Sequence, residues 1–357
     1  MISKALLLCA GMGSRLRPLT YTTAKHILPV ANKPILFSTI EMLQRAGIDE
    51  IGIVVASNKD DLMKGVGDGS RWGICITYID QKTPLGTAHA VKVAEEWAAS
   101  DPFVMILGDI VVENGIDALL TTYTAYKPDG VVVLHHTDRP KQFGIAEIRD
   151  DRIVGLEEKP EHPKSNLAVA GIYVFTESIF RAIDSVKPSP RGELELPDAI
   201  RTLIDDGKRV DPFMLEGWWK DTGRPEDIID LNQLLLDQLA SSRVDGTVDS
   251  ESSIVGHVVI GESARIERST IRGPVVIDSG AVIRDAYIGP HTSIGADVTV
   301  ENAEVENSVI LEHTTISNIS TRITSSLIGK SVRVTGGNEE SRLQRFVLGD
   351  TCQLTLP

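Results

Sequence analysis

Cysteine is scarce. Cys9, Cys75 and Cys352 are an odd number spread over 357 residues, which excludes a disulfide framework and a clustered zinc site and fits a reducing, cytoplasmic setting. Long apolar runs are missing as well: nothing approaches the roughly 18 residues of a membrane span. The first apolar run, Ala5 to Ala10, has only six residues. That is shorter than the core of a secretion signal, about 7–15 residues, and no small residue stands before its cysteine as a lipoprotein site requires. Basic charge is in deficit, with 36 Lys and Arg against 50 Asp and Glu and a net charge of −14. Such a field repels nucleic acid and anionic membranes, so neither is an expected partner, and an anionic ligand must meet a local cluster of cations. Aromatic residues are few and uneven. Trp72, Trp97, Trp218 and Trp219 all precede residue 240, and beyond residue 250 only Tyr287 and Phe346 remain, with Lys330 as the one lysine.

What is present divides at that compositional change. With 42% hydrophobic and 24% charged residues, the chain reads as globular and long enough for two domains. Up to about residue 240, strand-like segments at Ala5–Leu8, Ile51–Val55, Cys75–Ile79, Phe103–Leu107, Gly130–Leu134, Gly144–Ile148 and Gly171–Phe175 alternate with helical patterns. The helical patterns include Ile35–Ala46, Thr87–Trp97, Glu177–Asp184, Leu196–Asp205 and Pro225–Leu239. This alternation predicts an α/β domain over 1–240, with a Rossmann-like, mixed but mostly parallel sheet. After residue 250, aliphatic residues recur at 254, 260, 266, 271, 277, 283, 288, 294, 300 and 305, in steps of 6, 6 and 5 repeated three times. Each hexad supplies a short strand and a turn, three hexads make a triangular coil, and each inward side chain stacks on its copy one coil away. The pattern weakens after Val305 through Ile310, Ile316, Ile323 and Ile328. Residues 241–357 are therefore expected to form a parallel β-helix.

The first strand empties into a loop of small residues, CAGMGSRLR (9–17), with Gly11 and Gly13. Leu16 stands where a dinucleotide fingerprint needs a third small residue, and no Gly-Lys-Ser/Thr follows, so neither the Rossmann fingerprint nor a Walker loop is present. What remains is a turn rich in backbone N–H donors, followed by Arg15, Arg17 and Lys25, a composition suited to phosphate oxygens.

Five segments then carry a resemblance: LCAGMGSRLRPLT with Lys25 and Pro29-Val30; YIDQKTPLGTAHAV (78–91); MILGD (105–109); GLEEKPEHPKSNLAVAGIYVF (155–175) with KPSPRGELELPDAI (187–200); and GWWKDTG (217–223). Together they resemble the sugar-phosphate nucleotidyltransferases, in particular the long thymidylyl branch with a hexapeptide-repeat tail. The resemblance implies transfer of a nucleotidyl group from a nucleoside triphosphate to a sugar 1-phosphate, with dTTP and glucose 1-phosphate as the favoured pair, and a left-handed β-helix. It implies that Asp109 and Asp221 hold Mg²⁺, and that Arg15 and Lys25 grip the triphosphate. Leu8, Ala10, Gly11, Gly13, Ser14, Gln81, Pro84, Gly86 and Thr87 would line the nucleotide alongside Arg15 and Asp109. Lys159 and Arg191 would hold the sugar phosphate, with Ile110, Gly144, Glu158, Asn166, Val169, Gly171 and Trp219 around the sugar. Catalytic work would fall to Arg15, Lys25, Asp109 and Asp221.

Several positions depart from the family pattern. Ile110 follows Asp109 where the pattern has Asn, His26 replaces Gln, Thr87 replaces Leu in GLA, and Pro197 replaces Thr. An Ile cannot pair a sugar hydroxyl, so a cyclitol or another hexose 1-phosphate, or another base, stands as the alternative expectation. Two other classes are conceivable: an acyltransferase using His257, His291 or His313 of the tail, and a sugar-nucleotide sensor without turnover. The open ends and flat faces of a prism also predict a homo-oligomer assembled through the tail.

Overall fold

The structure, a computed structural model, describes residues 2–336, 346–350 and 352–356; the rest of the expected 241–357 domain lies outside the described residues. Two compact units emerge. One comprises Met1–Met12 and Leu36–Asp221, the other Gly13–Ile35 and Thr222–Pro357.

The first unit is built on a nine-stranded sheet. Its strands are β1 (Lys4–Leu8), β2 (Glu50–Val55), β3 (Cys75–Asp80), β4 (Phe103–Leu107), β6 (Gly130–His136), β7 (Gly144–Arg149), β8 (Arg152–Glu158), β9 (Leu167–Phe175) and β10 (Val210–Met214). A small ribbon joins β5 (Ile110–Val112) to β11 (Trp219–Asp221). The order is β8-β7-β9-β4-β1-β2-β3, with β6 beside β9 and β10 beside β6. Parallel pairing runs through β4, β1, β2 and β3 and joins β10 to β6. The β4–β9, β9–β6, β9–β7 and β7–β8 ladders are antiparallel. The sheet is thus mixed, as expected, with its parallel character concentrated where helices separate consecutive strands. The antiparallel ladders all involve β7 or β9, and of these only β7 and β8 are consecutive strands joined by a short turn. β1 lies between two parallel neighbours and is buried from Ala5 to Leu8, which explains its unbroken apolar run.

The helices follow the expected pattern with one break. Thr87–Trp97 divides into Thr87–Lys92 and Glu95–Ala98. Pro197 falls in the first turn of the Leu196–Asp205 helix, where a missing N–H costs no bond. No helix among the described residues is long and apolar enough to cross a membrane.

In the second unit, three parallel sheets form the faces of a β-helix, the arrangement of hexad-built left-handed helices. The hexad arithmetic reappears as columns. Ile254, Ile271, Ile288, Val305 and Ile323 stack on one face. Ile260, Ile277, Ile294, Ile310 and Ile328 stack on the second. Ile266, Ile283, Val300, Ile316 and Val334 stack on the third. The columns continue past Val305, where the repeat seemed to fade; a longer turn before Ile323 displaces the spacing without breaking the stack. Ile283 is fully buried between Ile266 and Val300. Replacing it with Ala is expected to cost about 2–5 kcal/mol, read from the denaturant midpoint, because the stacked column cannot collapse into the void.

Corners of the prism need left-handed backbone. Asp285, Asn302, Asn307 and Asn318 supply it, and so do His291 and His313, each with φ of 60°. His291 also pairs with Asp237 and His313 lies near Asp297, so these two of the three tail histidines are corner residues.

Candidate active site

The parallel half of the sheet delivers its ligand-facing edge where strands end. β1 ends at Leu8, whose carbonyl accepts Gly108 N–H at 3.0 Å, and the next amide, Cys9, donates to Val54 at 2.8 Å. Gln81 N–H donates to Val55 at 2.8 Å. Leu8, Ala10, Gly11, Gln81 and Asp109 therefore leave the sheet at the same carboxyl edge. Asn58 fixes the loop from behind, its Nδ2 donating to Cys9 O at 2.7 Å.

Asp109 follows β4 and is only 8% exposed. β11 runs antiparallel to β5 and sets Asp221 opposite Ile110, one residue from Asp109. Two carboxylates distant in sequence are thus carried on neighbouring strands, and the Asp221 Oδ1 atom is shut away from solvent. Among the described residues no group of three or more His, Cys, Asp or Glu could form a closed metal cage. A pair of hard carboxylates fits Mg²⁺ nonetheless, since that ion takes one or two protein carboxylates and completes its shell with phosphates and water.

From this ribbon a run of contacts reaches the residues expected around the sugar. β9 bulges between Val169, opposite Leu134, and Tyr173, opposite Val132. Gly171 sits in the bulge at φ +75°, where a Cβ would come within 2.9 Å of Leu107 and 3.1 Å of Ile110. The bulge frees the Ala170 carbonyl, which accepts Trp219 Nε1–H at 2.9 Å. Trp219 packs edge-on against Phe143, with ring centres 5.0 Å apart, and the Phe143 carbonyl accepts Lys159 N–H at 3.1 Å. Replacing Trp219 with Phe should keep the ring contact and lose the bond, for about 1 kcal/mol of stability measured by chemical denaturation.

Glu158 pairs across the hairpin with Gly144, where a Cβ would lie 3.1 Å from the Glu158 carboxylate. That carboxylate lies 3.4 Å from Lys159 Nζ and 3.8 Å from the Arg191 guanidinium. The two expected phosphate-holding cations thus share one acidic neighbour. Arg191 also donates to buried Glu195 at 2.8 Å, and this bond, more than any other influence, holds its proton more tightly than usual. Asn166 lies at the start of β9, with its carbonyl bound by Thr137 N–H and its Oδ1 3.3 Å from His136 Nδ1.

The loop expected to face the base joins the same region. Gly86, at φ +112°, lies so close to Leu194 that a Cβ would meet its carbonyl at 2.5 Å. Leu194 N–H donates to Leu85 O, and Ala88 N–H to Leu194 O. Pro84 opens this turn. The unusual Thr87 has a use, since its hydroxyl accepts Leu196 N–H at 3.2 Å. Gln81 Nε2 bonds Gly86 O at 3.2 Å and lies 2.9 Å from His89 Nδ1. Ile110 is 3% exposed and lies against Gly171, so it fills space and offers no side-chain donor.

Within the second unit, Gly13 adopts φ +61°, and Lys25 Cβ would lie 3.1 Å from any Cβ placed there. Thr20 closes the turn by donating to Gly13 O at 2.7 Å. Ser14 opens a short 3-10 turn with Arg15, whose guanidinium lies over Gly223, 2.8 Å from where a Cβ would stand. Arg15 therefore covers the last glycine of the GWWKDTG motif. His26 is buried in the same segment.

Sequence reasoning missed Asn58, His89 and Glu195, the residues that hold Cys9, Gln81 and Arg191. Only Glu195 left a local signal, being four residues after Arg191.

Comparison with known proteins gives the family. The profile of the nucleotidyl transferase family matches residues 4–238, and that of the GMPPB C-terminal domain matches residues 271–355. A glucose-1-phosphate thymidylyltransferase of Streptomyces antibioticus is 45% identical over 97% of this chain and 98% of its own length. A low-salt glycan biosynthesis nucleotidyltransferase of Haloferax volcanii is 43% identical over 99% of this chain and all of its own. The chain belongs to the nucleotidyl transferase family. A Bacillus anthracis crystal structure titled as a glucose-1-phosphate thymidylyltransferase superposes on this nucleotidyltransferase with a TM-score of 0.61 and 34% identity, covering 65% of this chain and 94% of that one. The nucleotidyltransferase is an enzyme joining a nucleoside triphosphate to a sugar 1-phosphate, and its cations and carboxylates have the chemistry that two polyanionic substrates demand.

Proposed function

We propose that the enzyme transfers the thymidylyl group of dTTP to glucose 1-phosphate, forming dTDP-glucose and pyrophosphate. The observation that carries this reading is the unbroken run of contacts in the first unit. It leads from the Asp109–Asp221 ribbon through Trp219 and Phe143 to the Lys159–Glu158–Arg191 cluster, and on to the Gly86 loop. The thymidylyltransferase of Streptomyces antibioticus supports the choice of substrates.

Chemically, an oxygen of the sugar phosphate attacks the α-phosphorus. The bond from that phosphorus to the oxygen bridging the α- and β-phosphates breaks, and pyrophosphate leaves with its electrons. The acceptor is itself a phosphate anion, so no side-chain nucleophile and no general base are required. Lys159 and Arg191 hold the acceptor phosphate and orient one oxygen for in-line attack. Glu158, paired with Gly144, receives sugar hydroxyls, and Val169 and Asn166 line the sugar. Gln81 reads the base edge, and glycine at 86 admits the base closely. Arg15 and Lys25 bind the triphosphate oxygens and offset the charge that grows on the departing group. Asp109 and Asp221 would hold Mg²⁺, which when bound neutralises phosphate oxygens.

Residues 1–240 are then the catalytic domain and 241–357 the β-helix domain of a cytoplasmic enzyme that assembles as a homo-oligomer. Pyrophosphate release is the test. dTTP with glucose 1-phosphate should give equal amounts of pyrophosphate and dTDP-glucose, and absence of turnover with this pair would overturn the reading. Light scattering of the full chain checks assembly, with a monomeric mass as the contrary result.

A further inference from the structure

The segment Gly13–Ile35, which carries Arg15 and Lys25, belongs to the same compact unit as the β-helix. Near its C-terminal end, Pro29–Val30 and Lys33–Pro34 pair as a tiny hairpin whose tip is Ala31 and Asn32, both in left-handed backbone at φ 49° and 59°. Such a two-residue turn favours Asn and Gly, and Ala there is strained, so these residues alone do not specify it. The β-helix supplies the missing constraint. Asn32 Nδ2 donates at 2.7 Å to the carbonyl of Ile294, a member of a stacked column. Ala31 N–H donates at 2.9 Å to Oδ1 of Asn232, on the Pro225–Asp237 helix.

Asn232 is fully buried. Its Oδ1 also accepts Ser293 Oγ–H at 2.6 Å, and its Nδ2 donates to His291 O at 2.8 Å. One amide therefore ties hairpin, helix and coil together. Beside it, Gln233 bonds Asn307 at 2.6 Å and His291 bonds Asp237 at 2.7 Å. At the other end of the segment, Thr22 bonds the Asp350 carboxylate, and Pro18 lies so near Gly349 that a Cβ there would come within 2.8 Å. Lys25 lies in the chain between these two attachments, and Arg15 just before the first. A buried amide bonded through both its oxygen and its nitrogen fixes position in a way that apolar packing does not.

We propose that the β-helix is the template of the triphosphate-gripping segment, with Asn32 and Asn232 as positioning residues for nucleotide binding. The inference rests on the reading of Arg15 and Lys25 as triphosphate ligands. Asn32→Gly is the cleanest probe, since glycine keeps the left-handed turn and removes only the amide bond. Hydrogen exchange of the full chain should show faster exchange across 13–35. The KM for dTTP should rise about fivefold, the fold-change for one lost bond of typical net worth, while the KM for glucose 1-phosphate stays within about twofold. Asn232→Ala should shift both readouts the same way and further; should it fail to fold, Asn32→Gly carries the test. Unchanged exchange over 13–35, or equal shifts in both KM values, would overturn the proposal. Arg15→Ala separates it from the underlying reading. A raised dTTP KM in Arg15→Ala with none in Asn32→Gly defeats the template role alone, whereas no rise in either removes the triphosphate role itself.

Discussion

Replacing Asp221 with Asn should lower kcat about 10³-fold while leaving the melting temperature nearly unchanged. The substitution keeps the shape, exchanges one acceptor oxygen for an amide donor and removes one negative charge. β11 stays paired with β5 through backbone bonds, and Trp219 keeps its hold on Ala170, so the fold has little to lose. On the proposed reading the reaction has much to lose, because Asp221 would help hold the cation that offsets charge on the transferring phosphate. Removing a single such group in other enzymes costs about 10²–10³ in rate, and a metal-holding carboxylate belongs at or beyond the upper end. Asp109→Asn should behave alike, and the double substitution should add little, since both act as one unit. Steady-state kinetics beside thermal melting decides it. An equal loss of stability would mean that the carboxylates are structural.

The second large effect is at Arg191. Arg191→Ala should raise the KM for glucose 1-phosphate about 10–100-fold, following the roughly 1.5–3 kcal/mol of a hydrogen bond to a charged group, with a much smaller change for dTTP. Arg191→Lys should recover only part of the loss. A lysine cannot span both the Glu195 carboxylate and a phosphate with a planar fork. Because Glu195 is the main cause of the raised Arg191 pKa, the guanidinium stays charged throughout the working range, and the KM for the sugar phosphate should show no titration of this residue between pH 6 and 9, a window of roughly neutral conditions. A KM that moves equally for both substrates would assign Arg191 to the loop's architecture instead.

The columns of the β-helix were legible because each coil repeats the same demand on its aliphatic positions; Ile260, Ile277 and Ile294 could hardly be elsewhere. The same signal weakens over the later coils, since one longer turn before Ile323 shifts the arithmetic and leaves the stack intact. β8, Arg152–Glu158, was hidden by its charged residues, which the exposed face of an edge hairpin tolerates. Val210–Met214 contains Pro212, which survives because this strand closes one edge of the sheet. At the site, the family resemblance pointed to Asp109, Asp221, Lys159 and Arg191; the β5–β11 ladder brings the first two near each other and Glu158 lies beside the other two. What stayed out of reach were the long-range partners. Nothing near Gln81 in a one-dimensional reading marks His89 as its neighbour, and nothing in residues 13–35 says that they belong with the coils. Those facts arise only when separate stretches of chain are closed against each other.

The central claim is that the acceptor phosphate strikes the α-phosphorus directly, with the protein binding and neutralising and forming no bond to the transferred group. A single in-line displacement inverts the configuration at that phosphorus. The decisive measurement is therefore stereochemical: turnover of one diastereomer of the α-thio analogue of dTTP with glucose 1-phosphate, read by phosphorus NMR. Clean inversion in the product is expected. Retention would require two displacements and a nucleotidylated side chain, and would contradict the account.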